Sequence, residues 1–132
     1  MHRRVLLALF LLLGATQAPA AEAPAEGKIK VLPRFMTLGV LNANFIRSNT
    51  SRGVISVECG LDVPDPKLRD RVQLLAPRLR ANLTRSLLLY ASDLPPGRAP
   101  NLEVLTPLLQ RQVDRTAGQA GARLLITNVL IN

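Results

Sequence analysis

Histidine, cysteine and aromatic side chains are almost missing from this chain: its 132 residues include one His, one Cys, no Trp, one Tyr and three Phe. The one histidine, His2, lies in a stretch that reads as an export leader, with Arg3 and Arg4, an apolar run from Val5 to Ala15, and the small-x-small pattern Ala18-Pro19-Ala20. That run is about 11 residues, short of the roughly 20 needed to cross a bilayer as a helix. Cleavage after Ala20 is expected, leaving a chain with no histidine. Imidazole-based catalysis and metal binding then fall away. Cys59 has no partner for an intramolecular disulfide. Phe35, Phe45 and Tyr90 are too few to stack single-stranded nucleic acid, so no nucleic-acid partner is expected. CxxC, HExxH, GxSxG and phosphate-cradling glycine loops are all absent. No cofactor, metal or catalytic residue is expected, and the chain reads as a non-enzyme. Nothing sets a serine beside Lys28, Lys30 or Lys67, and Asp62 and Asp65 around Pro64 read as solvated turn carboxylates rather than an acid–base pair or a calcium loop.

Basic residues are what the chain does have. It carries 17 Lys and Arg against 9 Asp and Glu. Arg3 and Arg4 leave with the leader, so the mature balance of 15 against 9 is +6. Net charge of this kind bears on association rather than fold. The cations concentrate at Lys67, Arg69, Arg71, Arg78, Arg80 and Arg85. One reading makes them a solvated helix face. The other makes them a docking surface for an acidic protein partner or an anionic membrane surface, since guanidinium pairs bidentately with carboxylates and phosphates.

About 112 residues remain after the leader, enough for one domain. Residues 21–34, with Pro24, Glu22 and Glu26, read as a flexible tether, and the domain should occupy 35–132. The apolar stretch from Ile29 to Ile46 predicts extended chain, as one or two short strands. Arg47 to Gly53 is a polar turn. Between Val54 and Val63 the residues Ile55, Val57, Cys59, Leu61 and Val63 alternate with Ser56, Glu58 and Asp62, which predicts a half-buried strand with Cys59 inside. Pro64 and Pro66 close it. Leu68, Val72 and Leu75 then recur at helical spacing, and Pro77 divides this piece from a longer helix striped by Leu79, Leu83, Leu87 and Tyr90, its apolar face broadened by Leu88 and Leu89. A proline-rich loop over 92–101 precedes a helix with Leu102, Leu105, Leu109 and Val113. Thr106-Pro107 is read as its cap and first position, and Gly118 or Gly121 as its end. The closing run from Ala122 to Asn132 reads as a strand buried on both faces. The order strand, strand, helix, helix, strand is α+β, with a small sheet of three to four strands and two main helices on one face.

Four blocks in this order resemble the FliL family of flagellar basal-body-associated proteins. They are Val54 to Val63 as the long strand, Pro77-Arg-Leu-Arg-Ala81 as the opening of the main helix, Leu102 to Val113 as the second helix, and Leu124-Leu-Ile-Thr-Asn-Val-Leu-Ile-Asn132 as the closing strand. The resemblance spans roughly 35–132. It implies a stomatin-like periplasmic domain that self-associates into rings beside the stator units of the motor and supports motility, and it brings no catalytic residues. Ala81 stands where the family has Asp, and the family's transmembrane anchor is replaced here by the leader. Two functions follow as expectations: an accessory of the flagellar motor, or an assembly module of a non-flagellar envelope complex. Both are periplasmic after cleavage and homo-oligomeric. If the leader were retained, the domain would face the periplasm from an inner-membrane anchor.

Overall fold

The computed structural model describes residues 34–132. The export leader and, apart from Arg34, the tether lie outside the described residues. Three strands form one antiparallel sheet in the order β1-β2-β3: β1 is Phe35–Ile46, β2 is Arg52–Asp62 and β3 is Arg123–Ile131. Between β2 and β3 run three helices, α1 at Pro66–Leu74, α2 at Ala76–Asp93 and α3 at Leu102–Ala117. The architecture is α+β, with α2 and α3 as the two main helices.

Each element follows from local chemistry. β1 is one strand rather than two, because Gly39, at φ +73°, absorbs a bulge where the pairing with β2 shifts register between Thr37 and Gly39. Met36, Leu38, Leu41, Ala43 and Phe45 all face the helices or lie buried, and the bulge keeps the strand's apolar residues on one side despite the extra residue. β2 alternates as its sequence predicts: Ile55, Val57 and Leu61 are fully buried, as is Val63 just beyond it, and Cys59 is 3% exposed. Asp65 caps α1 by accepting from the Lys67 amide, with Pro66 in the first turn. Leu75 separates α1 from α2, and Pro77 sits in the first turn of α2, where its missing donor would have had no helical partner.

Leu79, Leu83, Leu87 and Ala91 of α2 and Leu105, Leu109, Val113 and Ala117 of α3 recur every four residues and are all buried. They complete a single aliphatic core against the inner face of the sheet. Asn82 donates to the Thr116 hydroxyl at 3.0 Å, joining the two helices on their polar flank. Gly118, at φ +79°, ends α3 as a left-handed cap and donates to the Asp114 carbonyl.

Three expectations are corrected. The cap of α3 is Asn101, whose side chain accepts from the Glu103 amide at 2.9 Å, so the helix starts at Leu102 and Pro107 lies inside it. Pro107 is tolerated because the hydrogen bond it removes belongs to the carbonyl of Glu103, an exposed first-turn residue that water reaches. Leu88 and Leu89 do not extend the buried face, being 36% and 62% exposed, because a sheet of three strands covers only the arc centred on Leu83 and Leu87. β3 is not buried on both faces either. It is an edge strand with Leu124 buried and Thr127, Asn128 and Leu130 exposed. Gln110 ties it down instead, donating to the Ala122 carbonyl and accepting from the Leu124 amide, both at 2.8 Å.

Leu83→Ala should cost about 2–5 kcal/mol in urea unfolding, through lost burial and a residual cavity. Leu89→Ala, on the same helix, should change stability by less than about 0.5 kcal/mol.

Candidate interaction surface

The six cations singled out from the sequence do not form one patch, because two helices divide them. Arg69 is half-buried and spent on the fold: Nε and Nη2 both reach the Val63 carbonyl at 3.2 Å, and Nη2 also reaches that of Pro64 at 3.2 Å. It clamps α1 under the end of β2 and is withdrawn from the docking set. Arg71 and Lys67 are exposed on α1, and Arg71 Nη1 lies 3.5 Å from Gln119 Oε1, beyond the end of α3. Arg80 leans toward the sheet, donating from Nη2 to the Val40 carbonyl at 3.3 Å, and its Nη1 is the atom that a Cβ at Gly39 would meet. Only Arg78 and Arg85, seven residues apart and opposite the buried stripe, point outward together from α2.

α3 supplies what a reading by clusters along the chain missed. Arg111 and Arg115 are exposed at i, i+4 spacing, on the side of α3 away from Leu105, Leu109 and Val113. Since α2 and α3 lie side by side on the sheet, their outward faces form one surface bearing Arg78, Arg85, Arg111 and Arg115. Among the described residues the ion pair within 4 Å is Arg34–Asp62, so none of these four arginines is held by a described carboxylate. The signal for this surface was present in the sequence as the i, i+4 spacing of Arg111 and Arg115.

Asp62 turns out not to be a free turn carboxylate. Arg34 Nε and Nη2 each donate to one of its oxygens at 2.6 Å. This hydrogen-bonded pairing holds the Asp62 carboxyl below its usual range and raises Arg34. Asp65 serves as the α1 cap. No group of three or more potential metal-ligating side chains occurs among the described residues, and no described helix is long and apolar enough to cross a membrane.

Cys59 faces the core from β2. Desolvation pushes its thiol up from 9.0 to about 11, against a smaller lowering by Arg80. The thiolate is the reactive species, so the side chain is inert at neutral pH. Because the folded value lies above the unfolded one, the neutral thiol's contribution to stability is complete below pH 9 and is lost as pH rises toward 11. The native protein should resist aromatic disulfide reagents at pH 8 and react once unfolded. Between pH 9 and 11 its melting temperature should fall more than that of Cys59→Ala; parallel curves for the two would exclude the buried-thiol account.

Compared with known proteins, the chain matches no protein-family model and no curated protein.

Proposed function

We propose that this domain is a non-enzymatic, exported interaction module, FliL-like in organisation, that serves as an accessory of the flagellar motor and supports motility. The observation that carries the reading is the arginine surface of the helix layer, where Arg78, Arg85, Arg111 and Arg115 are exposed with no ion-pair partner among the described residues. Exposed guanidinium groups are suited to bidentate pairing with an acidic partner. The four FliL-like blocks fall on β2, α2, α3 and β3, with β1 ahead of them and the short α1 after β2. In this reading the domain acts in the periplasm, self-associates, and meets a stator or another envelope protein through the helix layer.

A second reading rests on a specific feature, the short apolar run from Val5 to Ala15. Family members hold their domain at the inner membrane by an anchor, and a cleaved leader would release this one. The same surface would then serve a non-flagellar envelope complex.

Deleting the gene should abolish swimming while leaving filaments normal, and a double charge reversal, Arg78→Glu with Arg115→Glu, should reproduce that loss with a nearly unchanged thermal melt. Normal swimming in the deletion strain would reject the motor reading. Capture of a non-flagellar envelope protein, lost in the double reversal, would then establish the second.

A further inference from the structure

Among the described residues no strand lies beside the outer edge of β1. Val54 and Asn132 exchange both backbone hydrogen bonds, at 3.2 and 3.0 Å, so the backbone of Val54 points toward β3. Its partner across the β1–β2 ladder, Asn44, therefore turns its own N–H and C=O away from β2, and by alternation so do Asn42 and Val40. Arg80 confirms this from the other side, since its guanidinium reaches the Val40 carbonyl at the edge. The N–H and C=O groups of Asn42 and Asn44 have no backbone partner among the described residues.

Protein edges of this kind are normally defended by Lys, Pro or an inward charge. β1 has none: Phe-Met-Thr-Leu-Gly-Val-Leu-Asn-Ala-Asn-Phe-Ile contains no charged residue and no proline. The bulge at Gly39 and the Arg80 guanidinium at Val40 shield the start of the edge, and beyond them it borders a groove. It runs between the β1 edge and α2 and is lined by Asn42, Asn44, Arg80, Ala81, Arg85 and Leu88 among others. Among the described residues its charged lining is the two arginines. Ala81 keeps the α2 side low, leaving room for a backbone beside the edge.

We propose that this edge receives an extended, acidic segment of a partner protein as a fourth strand. Its backbone pairs with Asn42 and Asn44, and carboxylates on its helix-facing side meet Arg80 and Arg85. Arg80 and Arg85 stand on the two rims of the groove, roughly 140° apart around α2, Arg80 at the edge itself and Arg85 on the solvent side. Outward-facing residues of the added strand would lie beside Val40 and Ile46, both exposed on the far side of the sheet. A second copy of this chain is the poorer occupant, because its own uncharged β1 would bring another Arg80 and Arg85 to the same groove. The proposal rests on reading the domain as a binding module, and names the chemistry of one partner; it does not depend on the motor.

The test is fluorescence anisotropy with the full chain as recovered from cells and a labelled peptide, acetyl-Thr-Val-Glu-Val-Glu-Val-Thr-amide, whose glutamates share one face. Binding should occur at low salt and be at least about tenfold weaker when both Glu are replaced by Lys, since two exposed ion pairs become two repulsions. Methylating the backbone nitrogens on the protein-facing edge of the peptide should weaken it comparably, a comparison that leaves the protein unaltered. Arg85→Glu, on the exposed side of α2, should weaken the Glu peptide and improve the Lys peptide. No binding, equal affinity for the Glu and Lys peptides, or indifference to methylation would each overturn the proposal. So would an edge-dependent dimer, seen as sedimentation of a doubled mass that Asn44→Pro abolishes, or capture by phosphatidylglycerol vesicles without capture of the peptide. If the peptide fails while partner capture still depends on Arg78 and Arg115, the strand is rejected and the reading of the helix layer stands. Peptide binding with no dependence of capture on the helix layer gives the converse.

Discussion

The inward face of β2 is the constraint on which the rest of this domain depends. Among the described strands it is the one paired on both sides, and Ile55, Val57, Cys59 and Leu61 project from it into a core made almost wholly of Leu, Val, Ile and Ala. At about 25 cal/mol per Å² of apolar surface removed from water, such side chains supply most of what favours folding in a domain of this size. The helices have no comparable reason to be where they are. α2 and α3 each offer a stripe one residue wide at every fourth position, and those stripes are satisfied only by lying on the sheet that β2 centres. Even the polar contacts secure what this packing has set: Arg34 with Asp62, Arg69 under Val63, and Gln110 across to Ala122 and Leu124 all act at the ends of strands.

Periodic features of the fold were legible in the sequence because period itself is a local property. The alternation at 54–63, the two leucine stripes and the glycine at 118 each declare their environment within a few residues. What was not legible depended on distant partners or on how much surface the fold has to offer. Arg34 and Asp62 are joined only because β1 lies along β2, and nothing near Gln110 announces that β3 will need its amide. The run Leu124-Leu-Ile would read the same in a central parallel strand as at an edge, so composition alone chose wrongly. Leu88 and Leu89 look buried in a helix whose neighbour is wider than three strands. Thr106-Pro107 has the chemistry of a helix start, but Asn101 offers a better acceptor one turn earlier.

The cationic surface shows the same division. Six basic residues counted along 67–85 suggested one docking site, yet the fold spends Arg69 on backbone carbonyls, turns Arg80 toward β1, and leaves only Arg78 and Arg85 outward from α2. Their companions, Arg111 and Arg115, come from a helix more than twenty residues later. A surface is defined by which faces point the same way in space, and chain order carries that information only within one helix.

The pairing of residue 131 with residue 55 also governs how the domain must assemble. β1 and β2 are joined by a short turn and form a local hairpin, whereas β3 arrives only after three helices have been made. Closing so long a loop is slow relative to hairpin formation. Until β3 is in place, β2, the strand whose side chains are buried deepest in the core, is itself an edge. A chain that is cut short before β3, or whose β3 is made slowly, therefore exposes its core strand to any neighbouring chain. The vulnerability of this domain lies in time, in the interval before β3 is delivered.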